Sequence, residues 1–156
     1  MDEPPLVIGV GNELRGDDAA GLAVARQLRE RTDLDVREFE GEPIGLLDAW
    51  HGRDAVVLVD TMRSGAPAGA IRRIDASRTR LPAGLGGPTS THAVGLADTL
   101  ELARAIGRLP GRVVVYAIEG RGFETGAPMS DAVRSGIDEL ATRVLSEVRA
   151  AARSAR

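Results

Sequence analysis

The chain has 156 residues, of which 43% are hydrophobic and 28% charged, and a formal charge of −3. That length suits one soluble globular domain, and no apolar stretch approaches the roughly 20 residues that a bilayer span needs. There is no cysteine, all 20 basic residues are arginine, and the only two histidines are His51 and His92, which excludes disulfides, a thiol nucleophile, cysteine-ligated zinc or iron–sulfur, Schiff-base and P-loop lysine chemistry, and a three-imidazole metal site within one chain.

In chain order, Leu6–Val10 reads as a buried strand, followed by a helix over Asp17–Arg31 that opens on two acids and places Leu22, Ala25 and Leu28 on one stripe. Asp35–Glu40 is a short strand and Pro43–Trp50 a short helix with proline in its first turn. Ala55–Asp60 is an apolar strand ending in a carboxylate, Ser64–Gly69 a turn, and Ala70–Asp75 a strand polar on alternate residues, which suits an antiparallel sheet edge. Leu81–Ser90, with its glycines and prolines, is loop, and Gly95–Ile106 is a helix. Arg112–Ile118 is the fifth strand, and Gly120–Pro128 a loop. Ser130 then caps a helix whose Val133, Ile137, Leu140, Val144 and Val148 recur at spacings of 4, 3, 4 and 4. This alternation predicts an α/β fold: a single three-layer domain over 1–156, with a mostly parallel five-stranded twisted sheet, helices on both faces, and frayed ends at about 1–5 and 151–156.

Scattered arginines, an acidic balance and four aromatic residues in all (one Trp, one Tyr, two Phe) argue against a nucleic-acid partner. The acidic opening MDEPP lacks the basic start of a secretory signal, so a cytoplasmic protein without a membrane partner is expected.

Open α/β sheets bind ligands beyond the carboxyl ends of their strands. Asp17 and Asp18 arrive there after the first strand, Asp60 at the end of the third, and His92 just before a helix, whose N-terminus favours a neutral ring able to act as ligand or base. Neighbouring acids cannot point the same way, so Asp17 is expected to serve mainly as a helix-start residue. His51, following Trp50 at a helix end, is expected to be a surface residue. Two carboxylates and one imidazole make either an open divalent-metal site or a metal-free acid/base set. A dinucleotide fingerprint is approached by Gly9 and Gly11, with Glu40 about where a ribose acid would sit, but its third glycine is replaced by Leu14.

Four motifs in order, from about Leu6 to Leu145, together resemble the hydrogenase maturation proteases: VIGVGNELRGDDAAG, VVLVDTMRSGAPAG, STHAVGLADTLELARAIGRLP, and VVVYAIEG followed by the Met129-Ser130…Val133 pattern. The resemblance implies a cytoplasmic aspartyl-type endopeptidase whose partner is the precursor of a nickel-hydrogenase large subunit, from which it trims the C-terminal extension. It places the family's metal-contacting residues on Asp18, Asp60 and His92, the three that topology nominates. It also implies no tightly bound cofactor of the protease's own, the nickel being supplied by the substrate. The scissile carbonyl would then need donors nearby, and the N–H groups of Gly11–Glu13 and of Ser64 and Gly65 are the candidates, which makes Gly11, Asn12, Ser64 and Gly65 substrate-binding residues. Leu81–Ser90 is a candidate specificity loop. The alternatives are a non-catalytic protein that binds the same precursor and a nucleotide-binding α/β enzyme.

Overall fold

A computed structural model describes residues 3–82 and 95–154 of the chain. Five strands, β1 (Leu6–Val10), β2 (Val36–Phe39), β3 (Ala55–Met62), β4 (Ile71–Asp75) and β5 (Arg112–Glu119), form one sheet in the order β2-β1-β3-β5-β4. All neighbours are parallel except β4, which runs antiparallel to β5 at the edge. The helices are α1 (Ala20–Arg31), α2 (Leu46–Ala49), α3 (Leu96–Ala105) and α4 (Asp131–Ser154), with short 3-10 turns at Gly16–Ala19 and Pro43–Gly45.

The sheet is buried on both faces, which is why its central strands read as unbroken apolar runs. Leu6, Ile8, Val56, Leu58, Val113 and Val115 pack beneath Leu46, Trp50, Leu96 and Leu100 of the α2 and α3 side. The alternate residues Val7, Val57, Val59, Val114 and Ile118 pack against Val24, Leu28, Val133, Leu140 and Val144 of α1 and α4. Each such side chain contributes about 1.5–3 kcal/mol on burial. Helix α1 lies close on the sheet because Gly9 meets Gly21: a Cβ on Gly9 would collide with the Gly21 carbonyl, and one on Gly21 with the carbonyls of Val10 and Val59.

Within the described residues, both terminal segments make contacts with the rest of the chain or continue as helix. Pro5 is buried, the Pro4 carbonyl accepts from Arg53 at 3.1 Å, and α4 continues past Ala151 to Ser154. Strand β3 also runs on past Asp60, because β5 continues beside it and pairs Thr61 with Ile118 and Met62 with Glu119.

Chain direction reverses between β1, which leads outward through α1 to β2, and β3, which leads through the other half of the sheet. The carboxyl ends of β1 and β3 therefore flank the switch point where such sheets take their ligands. Asp17 fixes that end of the molecule. It is fully buried and accepts four hydrogen bonds from the loop between β5 and α4: from the N–H of Arg121 (2.7 Å) and Gly122 (3.1 Å), and from the N–H (2.6 Å) and hydroxyl (2.9 Å) of Ser130. Burial pushes its carboxyl up, but these donors together hold it below the ordinary carboxylate value. Asp17 does open a helical turn, as expected, yet its larger role is this tie across the sheet.

A second buried carboxylate, Glu147 of α4, accepts from Arg73 Nε (2.5 Å), Arg112 (2.9 Å) and the Tyr116 hydroxyl (2.8 Å). The Arg73 bond outweighs burial and, with the other two donors, holds Glu147 down at about 2. Burial, then the bond to Glu147, pushes Tyr116 up to about 12.

Two predictions follow from these ties. Because Glu147 titrates lower when folded, its contribution to stability is complete above its unfolded value of 4.5 and is lost as the pH falls toward about 2. Glu147→Gln should cost about 2 kcal/mol at pH 7, the arginines being half-exposed, and should flatten the acid limb of the stability–pH curve in urea denaturation. Asp17→Asn sets an NH2 group against donors whichever way the amide turns, and should cost about 2–4 kcal/mol. A variant as stable as the parent would refute the tie.

Candidate active site

The loop after β1 is closed on itself. Gly11 N–H donates to the Phe39 carbonyl (3.1 Å), Asn12 N–H to the Asp18 carbonyl (3.1 Å) and Asp18 N–H to the Arg15 carbonyl (3.0 Å). Leu14 N–H donates to Asn12 Oδ1 at 2.9 Å. Glycine is required at position 11, since a Cβ there would run into the Asp18 carbonyl oxygen. The short circuit carries Asp18 back over β3, where the Thr61 hydroxyl donates to its Oδ1 at 3.1 Å. Asp17 and Asp18 thus diverge, one toward the β5–α4 loop and the other toward β3.

Asp60 sits beside that contact. Its Oδ1 accepts the Thr61 N–H at 2.7 Å, while the Thr61 hydroxyl goes to Asp18. Asp18 is 5% exposed and Asp60 1%. Burial first, and then the charge of Asp18, push the Asp60 carboxyl well above the usual range, with the Thr61 bonds offsetting part of that. Asp60 therefore holds its proton more readily than an aspartate in water does. Thr61, the link between them, carried no signal of its own in the sequence beyond following Asp60.

By strand alternation Asp60 belongs to the face of Val56, Leu58 and Met62, the face covered by α3. His92, nominated as the third member, lies outside the described residues, as do residues 83–90 of the candidate specificity loop. Among the described residues, no three His, Cys, Asp or Glu side chains are grouped to hold a metal ion. His51 is exposed at the end of α2, as expected.

The donors nominated for a scissile carbonyl are already engaged. Glu119, buried at the end of β5, accepts the N–H of Ser64 (2.8 and 3.1 Å), the Ser64 hydroxyl (2.8 Å) and the N–H of Gly65 (2.9 Å). The Glu13 N–H donates to Glu40 Oε1 at 2.9 Å, and those of Gly11 and Asn12 close the loop. Glu40 thus has a structural partner, and Gly9 and Gly11 serve helix packing and loop closure, which removes the features that suggested a dinucleotide. None of the nominated N–H groups is left open, whereas the Asn12 carboxamide NH2, which is not among them, has no partner among the described residues. Glu119 shows the same pattern that singled out Asp60, an acid closing an apolar run, and could have been found by it.

Comparison with known proteins shows the family. A family model described as hydrogenase maturation protease matches residues 25–147. The hydrogenase 2 maturation protease of Escherichia coli (strain K12) is 28% identical over 148 residues, covering 92% of this chain and 90% of that protein. The fold superposes on the hydrogenase maturating endopeptidase HybD from E. coli with a TM-score of 0.77 at 23% identity, covering 95% of this chain and 93% of the other. It superposes on the [NiFe] hydrogenase maturation protease HybD from Thermococcus kodakarensis with a TM-score of 0.72 at 26% identity, covering 93% and 99%. With a family model matched over residues 25–147, these relatives and the shared five-stranded α/β fold, the chain belongs to the hydrogenase maturation protease family, a family of peptidases.

Proposed function

We propose that this protein is an endopeptidase that removes the C-terminal extension of a hydrogenase large-subunit precursor, and that nickel already seated in the precursor is what it reads. The observation that carries this reading is the Asp18–Asp60 pair, two nearly buried carboxylates held together by Thr61 at the switch point of the sheet.

Two such acids repel when both are ionised, and a proton or a cation between them relieves that repulsion. A precursor that brings a divalent ion with open coordination positions offers that relief, whereas a nickel-free precursor with the same peptide bond does not. Recognition then comes from differential ligation by Asp18 and Asp60, with His92 as the proposed third ligand. The protein needs no tightly bound metal of its own. Once the precursor is docked, a carboxylate of the pair can take the proton of the attacking water. The Asn12 carboxamide is the donor available to a developing oxyanion, while Ser64 and Gly65 shape the site through Glu119.

The test is a processing assay on the cognate large subunit, loaded with nickel or free of it, read by the size shift on loss of the extension. Wild type should cut only the loaded precursor. Asp60→Asn and His92→Ala should each slow cutting by about 100-fold or more, the loss of several kcal/mol of ligation. Asp60→Asn keeps the Oδ1 acceptor and removes the repulsion, so its melting temperature should equal or exceed that of wild type by a few °C. Efficient cutting of the nickel-free precursor would refute the sensing mechanism. Elemental analysis of protein purified without added metal should find well below one equivalent of nickel or zinc, and a stoichiometric, tightly held ion would identify a metalloenzyme instead.

A further inference from the structure

A cavity of about 370 Å³ opens between the loop leading to the Gly16–Ala19 turn, the residues after β3 and the loop after β5, the segments that flank the carboxyl ends of β1, β3 and β5. Its walls include Arg15, Arg63 and Arg121, together with Phe123, Thr125 and a single acid, Glu124, so three positive charges and one negative leave a net +2. In a chain whose acids outnumber its bases by 23 to 20, this concentration of cations is out of character.

Many of the arginines elsewhere are engaged. Arg26 binds Glu13 and Glu38, Arg53 binds Asp35, Arg104 binds Glu101, and Arg73 and Arg112 share Glu147. Arg63 and Arg121 are different: both are exposed, and among the described residues neither guanidinium has an ion-pair or hydrogen-bond partner. Arg15 is half-buried, with its Nε turned to the Phe123 carbonyl at 3.3 Å. The positions are set by the same elements that set the acid pair. Arg15 stands three residues before Asp18 and Arg63 three after Asp60, and the Arg121 N–H is one of the donors to Asp17. Three residues of chain span at most about 10–11 Å, so the backbone at Arg15 and Arg63 stands within that reach of the backbone at Asp18 and Asp60.

We infer that this cavity is a subsite for a carboxylate carried by the peptide being cut, within about three residues of the scissile bond. The inference rests on the protease reading above and names a feature of its substrate. Guanidinium groups match carboxylates with paired N–H donors, and two arginines that line one hollow without a partner among the described residues leave their charge to be met by a ligand. The carboxylate has two possible sources, an acidic side chain near the bond or the terminal carboxylate of a short chain end.

Three acetylated tripeptides separate these sources in a titration of isotope-labelled protein by NMR: Ala-Glu-Ala amide, Ala-Ala-Ala with a free carboxylate, and Ala-Ala-Ala amide. A carboxylate peptide should shift the amide signals of Arg63, Arg121, Gly122 and Thr125, and the neutral amide should not. Whichever carboxylate peptide binds tighter identifies the source. Arg63→Gln combined with Arg121→Gln should weaken that binding by about tenfold or more, as should added salt in smaller measure. Equal shifts from the neutral peptide, no shift from either carboxylate peptide, or wild-type affinity in the double variant would overturn the subsite. In the processing assay the double variant should raise KM about tenfold with kcat within about twofold, whereas Asp60→Asn loses kcat. If wild type cuts no precursor, the protease reading fails while the titration still decides the subsite.

Discussion

The acid pair sets the terms for the rest of the structure. Asp18 and Asp60 come from different segments, are almost free of solvent contact and face each other through one threonine. Such a pair is a stability cost when both acids are ionised, because burial and mutual repulsion act in the same direction. A fold that keeps it must hold both segments rigidly, or the acids would swing apart into water. The energy stored in the pair is then available to a ligand that brings positive charge, which is the physical basis of the proposed reading of nickel.

The surrounding structure supplies that rigidity with further acids used as ties, two buried and one exposed. Asp17 gathers four donors from the β5–α4 loop, Glu119 gathers the turn after β3, and Glu40 takes the Glu13 N–H. Each satisfies backbone groups that a loop at the sheet's end would otherwise leave open. Glycine completes the arrangement at Gly9, Gly11 and Gly21, where carbonyl oxygens occupy the space of a side chain. The loops at this end of the sheet are therefore a wired frame, and Thr61 is where the frame meets the chemistry.

Much of the architecture was legible in the residues. Strands buried on both faces leave long apolar runs, so Leu6–Val10 is legible with its observed bounds, and the alternating polarity of Ala70–Asp75 marks the antiparallel edge, observed over Ile71–Asp75. Legibility failed where function places polar residues inside regular structure. Asp60 and Thr61 look like the end of a strand, but β5 gives them partners and β3 continues to Met62. The tie made by Asp17 joins residues more than 100 positions apart, and local pattern holds no trace of it. The three arginines of the cavity are equally scattered and meet only in the fold. Convergence of Asp18 with Asp60 was foreseeable from topology, since both segments reach the carboxyl end of the sheet, whereas the use of the Ser64 and Gly65 N–H groups by Glu119 was not.

The most direct test of the acid pair is a carbon-13 NMR titration of the Asp18 and Asp60 carboxyl groups in wild type and in Asp18→Asn. In wild type Asp60 should keep its proton well above the ordinary aspartate value of about 3.9, and Asp18→Asn should lower its titration without restoring that value, since burial is the larger cause and remains. Independent titration of both acids near the ordinary value in wild type would contradict the account.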